Sequence, residues 1–169
     1  STVYVTHKIA TQSWQASGGN RRKEALPHWC YSRGVKYDDG LYLPTKKEQL
    51  IDGISGATPH ESFNIKLNPA TALKKFVVKI EINHSTDFNE AFPKSAKDGE
   101  ANYSGGKEGS RQPAIVYAAN VDLSSGEKSF EANLMGHSSP DGSSGEVNKD
   151  TSGLTTALHI VKRITVIIQ

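Results

Sequence analysis

Seven residues carry the densest chemistry in this chain: Asp52-Gly53-Ile54-Ser55-Gly56-Ala57-Thr58. Small side chains behind a leading carboxylate make a tight bend, with Gly53 and Gly56 supplying backbone angles closed to other residues and Asp52 accepting from amides ahead of it. The same small neighbours leave the Thr58 hydroxyl open to attack by a second enzyme. Serine hydrolysis is excluded by pattern: a nucleophile elbow needs G-x-S-x-G between a strand and a helix, whereas Ala57 fills the last glycine position. Pro59 follows Thr58 and stops a helix from forming there.

Other constellations are weaker. Six histidines are present, and His60-Glu61, His84 with Asp87, and His137 with Asp141 are the groups that could offer ligands. None has the spacing that sets two imidazoles on one metal, so no metal site and no catalytic set is assigned. Gly105-Gly106-Lys107 lacks the upstream glycine of a phosphate loop, where Ala101 stands, and Glu108 replaces the hydroxyl that should follow the lysine. Trp14, Trp29, Tyr31, Tyr37 and Tyr42 gather in the first quarter and are read as packing residues, with sugar stacking the lesser option.

The elements that must position these residues read as strands. "TVYVTHKIAT" alternates from Val3, and "SFNIKLN" puts Phe63, Ile65 and Leu67 on one face. "KKFVVKIEIN" sets Phe76, Val78, Ile80 and Ile82 inward and Val77, Lys79 and Glu81 outward. "PAIVYAANVDL" turns Ile115, Tyr117, Ala119 and Val121 inward. "FEANLM" is a shorter run, and "RITVIIQ" carries Ile164, Val166 and Ile168 in phase. The run "TSGLTTALHIVKR" has room for a helical turn. The connection from Gly18 to Ile54 has room for one or two short strands. That from Asn83 to Pro113 exceeds the ordinary loop length, which marks functional or disordered segments; its residues from Lys94 to Gly109 read as mobile. The expectation is an all-β fold, an antiparallel β-sandwich of about seven or more strands with long loops, as one domain over residues 1–169.

Composition narrows the function. Lys+Arg 20 against Asp+Glu 18 gives a net charge of +2 spread in short groups, unlike the one-sided basic excess of a nucleic-acid binder. The single cysteine, Cys30, allows no internal disulfide and reads as a small buried hydrophobe. No apolar run is long enough for a membrane span. The chain starts at Ser1 on a strand-like pattern, and the expectation is that a leader has been removed.

The seven residues from Asp52 to Thr58 resemble the D-x-x-[ST]-G-A-T signature of bacterial flavin-carrying domains found in the sodium-pumping NADH:quinone reductase and in Rnf-type complexes. In those domains a flavin transferase esterifies FMN through its phosphate to the final threonine. The resemblance implies FMN on Thr58, with Asp52, Ser55, Gly56 and Ala57 shaping the acceptor loop and His84 and Asp87 on a neighbouring surface. Over nearly its whole length, through "SGATP", "EINHSTDFNEAFP", "RQPAIVYAA", "GHSSPDG" and "SGLTTALHIVKRITV", the chain also resembles a family of predicted periplasmic bacterial proteins. Members of that family look similar to immunoglobulin-like sandwiches and occur with flavin transferases and flavin-bearing membrane proteins. The expectation is a non-enzymatic, periplasmic accessory or carrier protein of a flavin-dependent electron-transfer system, with a flavin transferase or membrane redox protein as partner. The alternative is a cofactor-free binding module that uses the Asn83–Pro113 loop against a protein or glycan. In the flavin-carrying domains the motif sits in an α+β domain with polar residues after the threonine; here Pro59-His60-Glu61 follow.

Overall fold

The computed structural model describes residues 2, 4–6, 10, 22–45, 47–48, 53–54, 61–65, 73–83, 91–93, 95–103, 112–155 and 160–167. Among them the regular structure is almost all strand: β1 (Val5–Thr6), β2 (Gly53–Ile54), β3 (Lys75–Ile82), β4 (Ile115–Asp122), β5 (Ser129–Glu131), β6 (Asn133–Ser138), β7 (Val147–Asn148) and β8 (Arg163–Thr165), with one short α-helix, α1 (Pro27–Ser32). The fold is all-β, as the alternating runs predict. The main sheet has the order β3-β4-β6-β7 and is antiparallel throughout. β5 pairs antiparallel with β8, and the two-residue β1–β2 pair is parallel. Among the described residues, no helix is long and apolar enough to cross a membrane.

The alternation in β3 and β4 holds one face of the main sheet to the core. Ile115 and Tyr117 pack with Ala132 and Leu154 against Ile80 and Ile82. Ala119, Val121 and Phe130 pack against Phe76, Val78, Ile164 and Val166. Phe130 and Ile164 are directly paired across β5–β8, so that small sheet delivers both side chains to the β4 surface. Hydrogen bonds from Ala132 N to Lys162 O (3.1 Å) and from Val166 N to Lys128 O (2.8 Å) continue the pairing at both ends.

Several expectations are corrected. Val116 is as buried as its inward neighbours, so β4 is covered on both faces at that point. "FEANLM" is two strands broken at Ala132, the first paired with β8 and the second with β4. Phe63 and Ile65 form no strand face: residues 61–65 lie in no ladder, and Phe63 is 52% exposed, its ring tilted against Tyr4 at 5.2 Å between centroids. Leu67 lies outside the described residues. The first long connection holds one short strand, β2, at its end, and a helix at Pro27–Ser32 that was not expected. Pro27 at the start of α1 fixes a helical φ and has no N–H to leave unpaired. Cys30, on its inner face, is buried as a small hydrophobe. In the second connection Phe92 and Ala96 are buried, while residues 95–103 run through successive turns and are otherwise mostly exposed.

Candidate functional site

The motif behind the flavin expectation is described only at its centre. Gly53 and Ile54 form β2, in register with Val5 and Thr6 of β1. Asp52, Ser55, Gly56, Ala57 and Thr58 lie outside the described residues, as do His60, His84, Asp87 and Trp14. Of the paired ligand groups, only His137 and Asp141 are described together, and they are differently engaged. The Asp141 carboxylate accepts from Ser143 N (2.9 Å) and Ser139 Oγ (2.7 Å), and the Ser143 side chain first, then Ser139 and the Ser143 amide, hold its pKa down at about 2. The His137 ring bonds the Ser138 carbonyl instead. No group of three or more His, Cys, Asp or Glu able to hold a metal occurs among the described residues.

The aromatic group of the first quarter is committed to structure. Tyr31 and Tyr42 stack at 4.2 Å, and the Arg33 guanidinium lies 5.0 Å over the Trp29 ring. Arg33 and Tyr37 both bond the Glu48 carboxylate. The Tyr31 hydroxyl donates to Ser143 O at 2.9 Å, clipping α1 to the β6–β7 loop. A partly exposed neutral bond of this kind contributes about 0.5–1 kcal/mol. Tyr31→Phe is expected to lower the urea midpoint by that small amount, and a loss above about 2 kcal/mol would show a role for the hydroxyl beyond this bond.

Two constellations stand out, and neither is legible as a motif. The first centres on Glu81, expected on the outward face of β3. That face is covered there by α1, and Glu81 Oε1 accepts from His28 N (3.1 Å) while Oε2 accepts from Trp29 N (2.7 Å). Ser138 Oγ donates to Oε1 as well. Leu26, at the helix N-cap, makes no side-chain cap, so a carboxylate 53 residues away satisfies the first free amides. Although the residue as a whole is only partly buried, its carboxylate is enclosed. Burial pushes the pKa up to about 7, against the three donors that favour the ionised form. Beside it His28 Nδ1 bonds Gly145 O at 2.7 Å; a carbonyl only accepts, so Nδ1 carries the hydrogen and Nε2 accepts from Lys79 Nζ at 3.3 Å. This knot fastens α1 to the sheet. It is closed on all the sides described and reads as structural.

The second is an open cleft of about 610 Å³ between the 91–103 segment and the β6–β7 region. Its floor includes Phe92 and His137, whose rings meet edge to face at 4.9 Å. Its walls carry Asn102, Asn148, Glu146 and Asp150 with several serines. The floor is braced from behind: buried Gln112 donates to Phe92 O at 3.0 Å, and Ala91 N donates to Gly153 O at 3.2 Å. One wall is folded by consecutive side-chain turns, in which Asn148 Oδ1 accepts from Asp150 N and Asp150 Oδ1 from Ser152 N. The sequence signal for that wall is the polar residue at every second position, Asn148, Asp150 and Ser152. Without the fold it reads as an ordinary loop.

No family model matches the chain, and no curated protein or solved structure matches it.

Proposed function

We propose that the protein is an exported accessory or carrier protein of an extracytoplasmic flavin-dependent electron-transfer system, with FMN esterified to Thr58. The observation that carries this reading is the seven-residue sequence Asp52 to Thr58, in which a hydroxyl follows small residues and a leading carboxylate. The pairing of Gly53–Ile54 with Val5–Thr6 supports it, since an acceptor loop has to be held at its root while its tip is handled by a transferase. Asp52, Ser55, Gly56 and Ala57 shape the bend, and the immunoglobulin-like sandwich supplies the rigid body beneath it. The partner is a flavin transferase or a membrane redox protein.

Co-expression with a bacterial flavin transferase tests the reading. The wild-type chain is expected to gain the mass of one phosphoester-linked FMN and flavin absorption in the visible range, and Thr58→Ala to gain neither. Wild-type protein that keeps its unmodified mass under conditions that flavinylate a known acceptor overturns it.

A second reading is favoured by a separate observation. The cleft lined by Phe92 and Asn102 is formed on one side by the long Asn83–Pro113 connection, and its volume falls inside the roughly 300–1,000 Å³ of small-ligand pockets. In this reading the protein is a cofactor-free binding module, and Thr58→Ala leaves ligand binding intact.

A further inference from the structure

The described lining of the cleft has one chemical bias. It contains the carboxylates of Glu146 and Asp150, the amides of Asn102 and Asn148 and the His137 ring, with no lysine or arginine among the described lining residues. The chain as a whole carries +2, so the local acidity is not inherited from composition. Asp150 stays ionised well into acid, because Ser152 bonds its carboxylate and holds its pKa below the ordinary value. His137 is only 6% exposed. Its Nδ1 lies 2.8 Å from the Ser138 carbonyl oxygen and must donate to it, so Nε2 is the ring nitrogen left for another partner.

These groups discriminate between ligand classes. An anion would meet two carboxylates with no cation in the described lining to offset them. A neutral sugar gains much of its affinity by stacking C–H faces on an open aromatic ring, and Phe92, 5% exposed and edge-on to His137, has little ring face to offer. A cation with several N–H donors matches the acceptors, and a short apolar chain between its ends needs only Ala91 and the small edge that Phe92 leaves exposed.

We propose that this cleft is a binding site for a small organic cation with an ammonium or guanidinium head, held against Glu146 and Asp150, with its alkyl segment over Ala91 and Phe92. The proposal rests on the binding-module reading and adds its ligand class.

The test is titration of the ¹⁵N-labelled full chain with agmatine, which carries both head groups. Maltotriose serves as the neutral comparator and citrate as the anionic one. Agmatine is expected to shift the amides of residues 101–102 and 146–152 saturably, and to bind more weakly as salt rises. The double substitution Glu146→Gln, Asp150→Asn is expected to weaken it by about tenfold or more, roughly 1.4 kcal/mol. Both side chains are exposed and both replacements are isosteric; the amide introduced at position 150 keeps an oxygen for the Ser152 N–H, so an unchanged spectrum elsewhere certifies the fold. Agmatine binding that the double substitution leaves unaltered, or that shifts other residues, overturns the proposal. Maltotriose or citrate shifting these amides while agmatine does not overturns the cationic class and leaves the binding-module reading standing. If none of the three moves them, the site is refuted.

Discussion

Gly136→Ala is expected to lower the unfolding free energy by about 4 kcal/mol or more. Gly136 lies in β6 with φ +137, and a Cβ built on it would fall 1.8 Å from the Asn148 carbonyl oxygen and 2.8 Å from its carbon. Those atoms are backbone, so no side chain can rotate away. To admit the methyl group, β7 must leave β6, breaking the pairs His137↔Asn148 and Ser138↔Val147. The positive φ adds its own cost of roughly 1–3 kcal/mol. Against a total stability of about 5–15 kcal/mol the sum is a large fraction. Gly126→Ala separates the two effects: its φ is +82 and nothing lies within 4 Å of the added Cβ, so it bears the backbone cost alone. Urea unfolding should place Gly136→Ala well below Gly126→Ala. Coincident midpoints would mean that β7 accommodates the methyl group without leaving the sheet.

Glu81→Ala comes next in size, and its effect depends on pH. The alanine leaves the His28 and Trp29 amides and the Ser138 hydroxyl without their acceptor, at roughly 2–4 kcal/mol for several buried donors. In the wild type the carboxyl group has an ordinary value of 4.5 and a native value of about 7. The native state therefore holds the proton more tightly than the unfolded chain. Between those two values the unfolded state binds fewer protons, and the stability this group contributes falls as pH rises. The fall amounts to about 3 kcal/mol across the window and is flat on either side. Glu81→Ala should accordingly be most destabilising near pH 4.5, much less so above pH 7, and should remove this slope from the stability curve. Unfolding free energies at intervals from about pH 4 to 8 check it. Parallel curves for wild type and variant would show that the carboxyl group titrates normally in the native state.

The strands of the main sheet are legible because their chemistry is local. In 75–82 and 115–122 a period of two in apolar residues places one face inward whatever lies opposite, and Phe76, Ile80, Tyr117 and Val121 all meet the core. Legibility fails where the deciding partner is remote. Nothing in "KIEI" distinguishes Lys79, exposed and touching α1 through His28, from the enclosed carboxylate of Glu81, because the difference is made by a helix from residues 27–32 laid over one end of the strand. The same helix buries Leu26 with Val5 and Ala114, a grouping that brings together three separate stretches. "SFNIKLN" has the period of a strand, yet without a pairing partner among the described residues its 61–65 portion stays irregular and exposed. The cleft was signalled by the improbable length of the 83–113 connection and, on its other side, by no more than the alternating polar residues Asn148, Asp150 and Ser152. Its lining comes from that segment and from a loop some 40 residues later, so no single window of sequence holds it.

The fastening of α1 also sets an order of events as the polypeptide leaves the ribosome. His28 must wait for Gly145 and Tyr31 for Ser143, separations of 117 and 112 residues. At about 5–20 residues per second the segment 22–45 spends several seconds outside the tunnel before its anchors emerge. It is made well ahead of its anchors and cannot be locked before they arrive, and through that interval it is open to a chaperone or a protease.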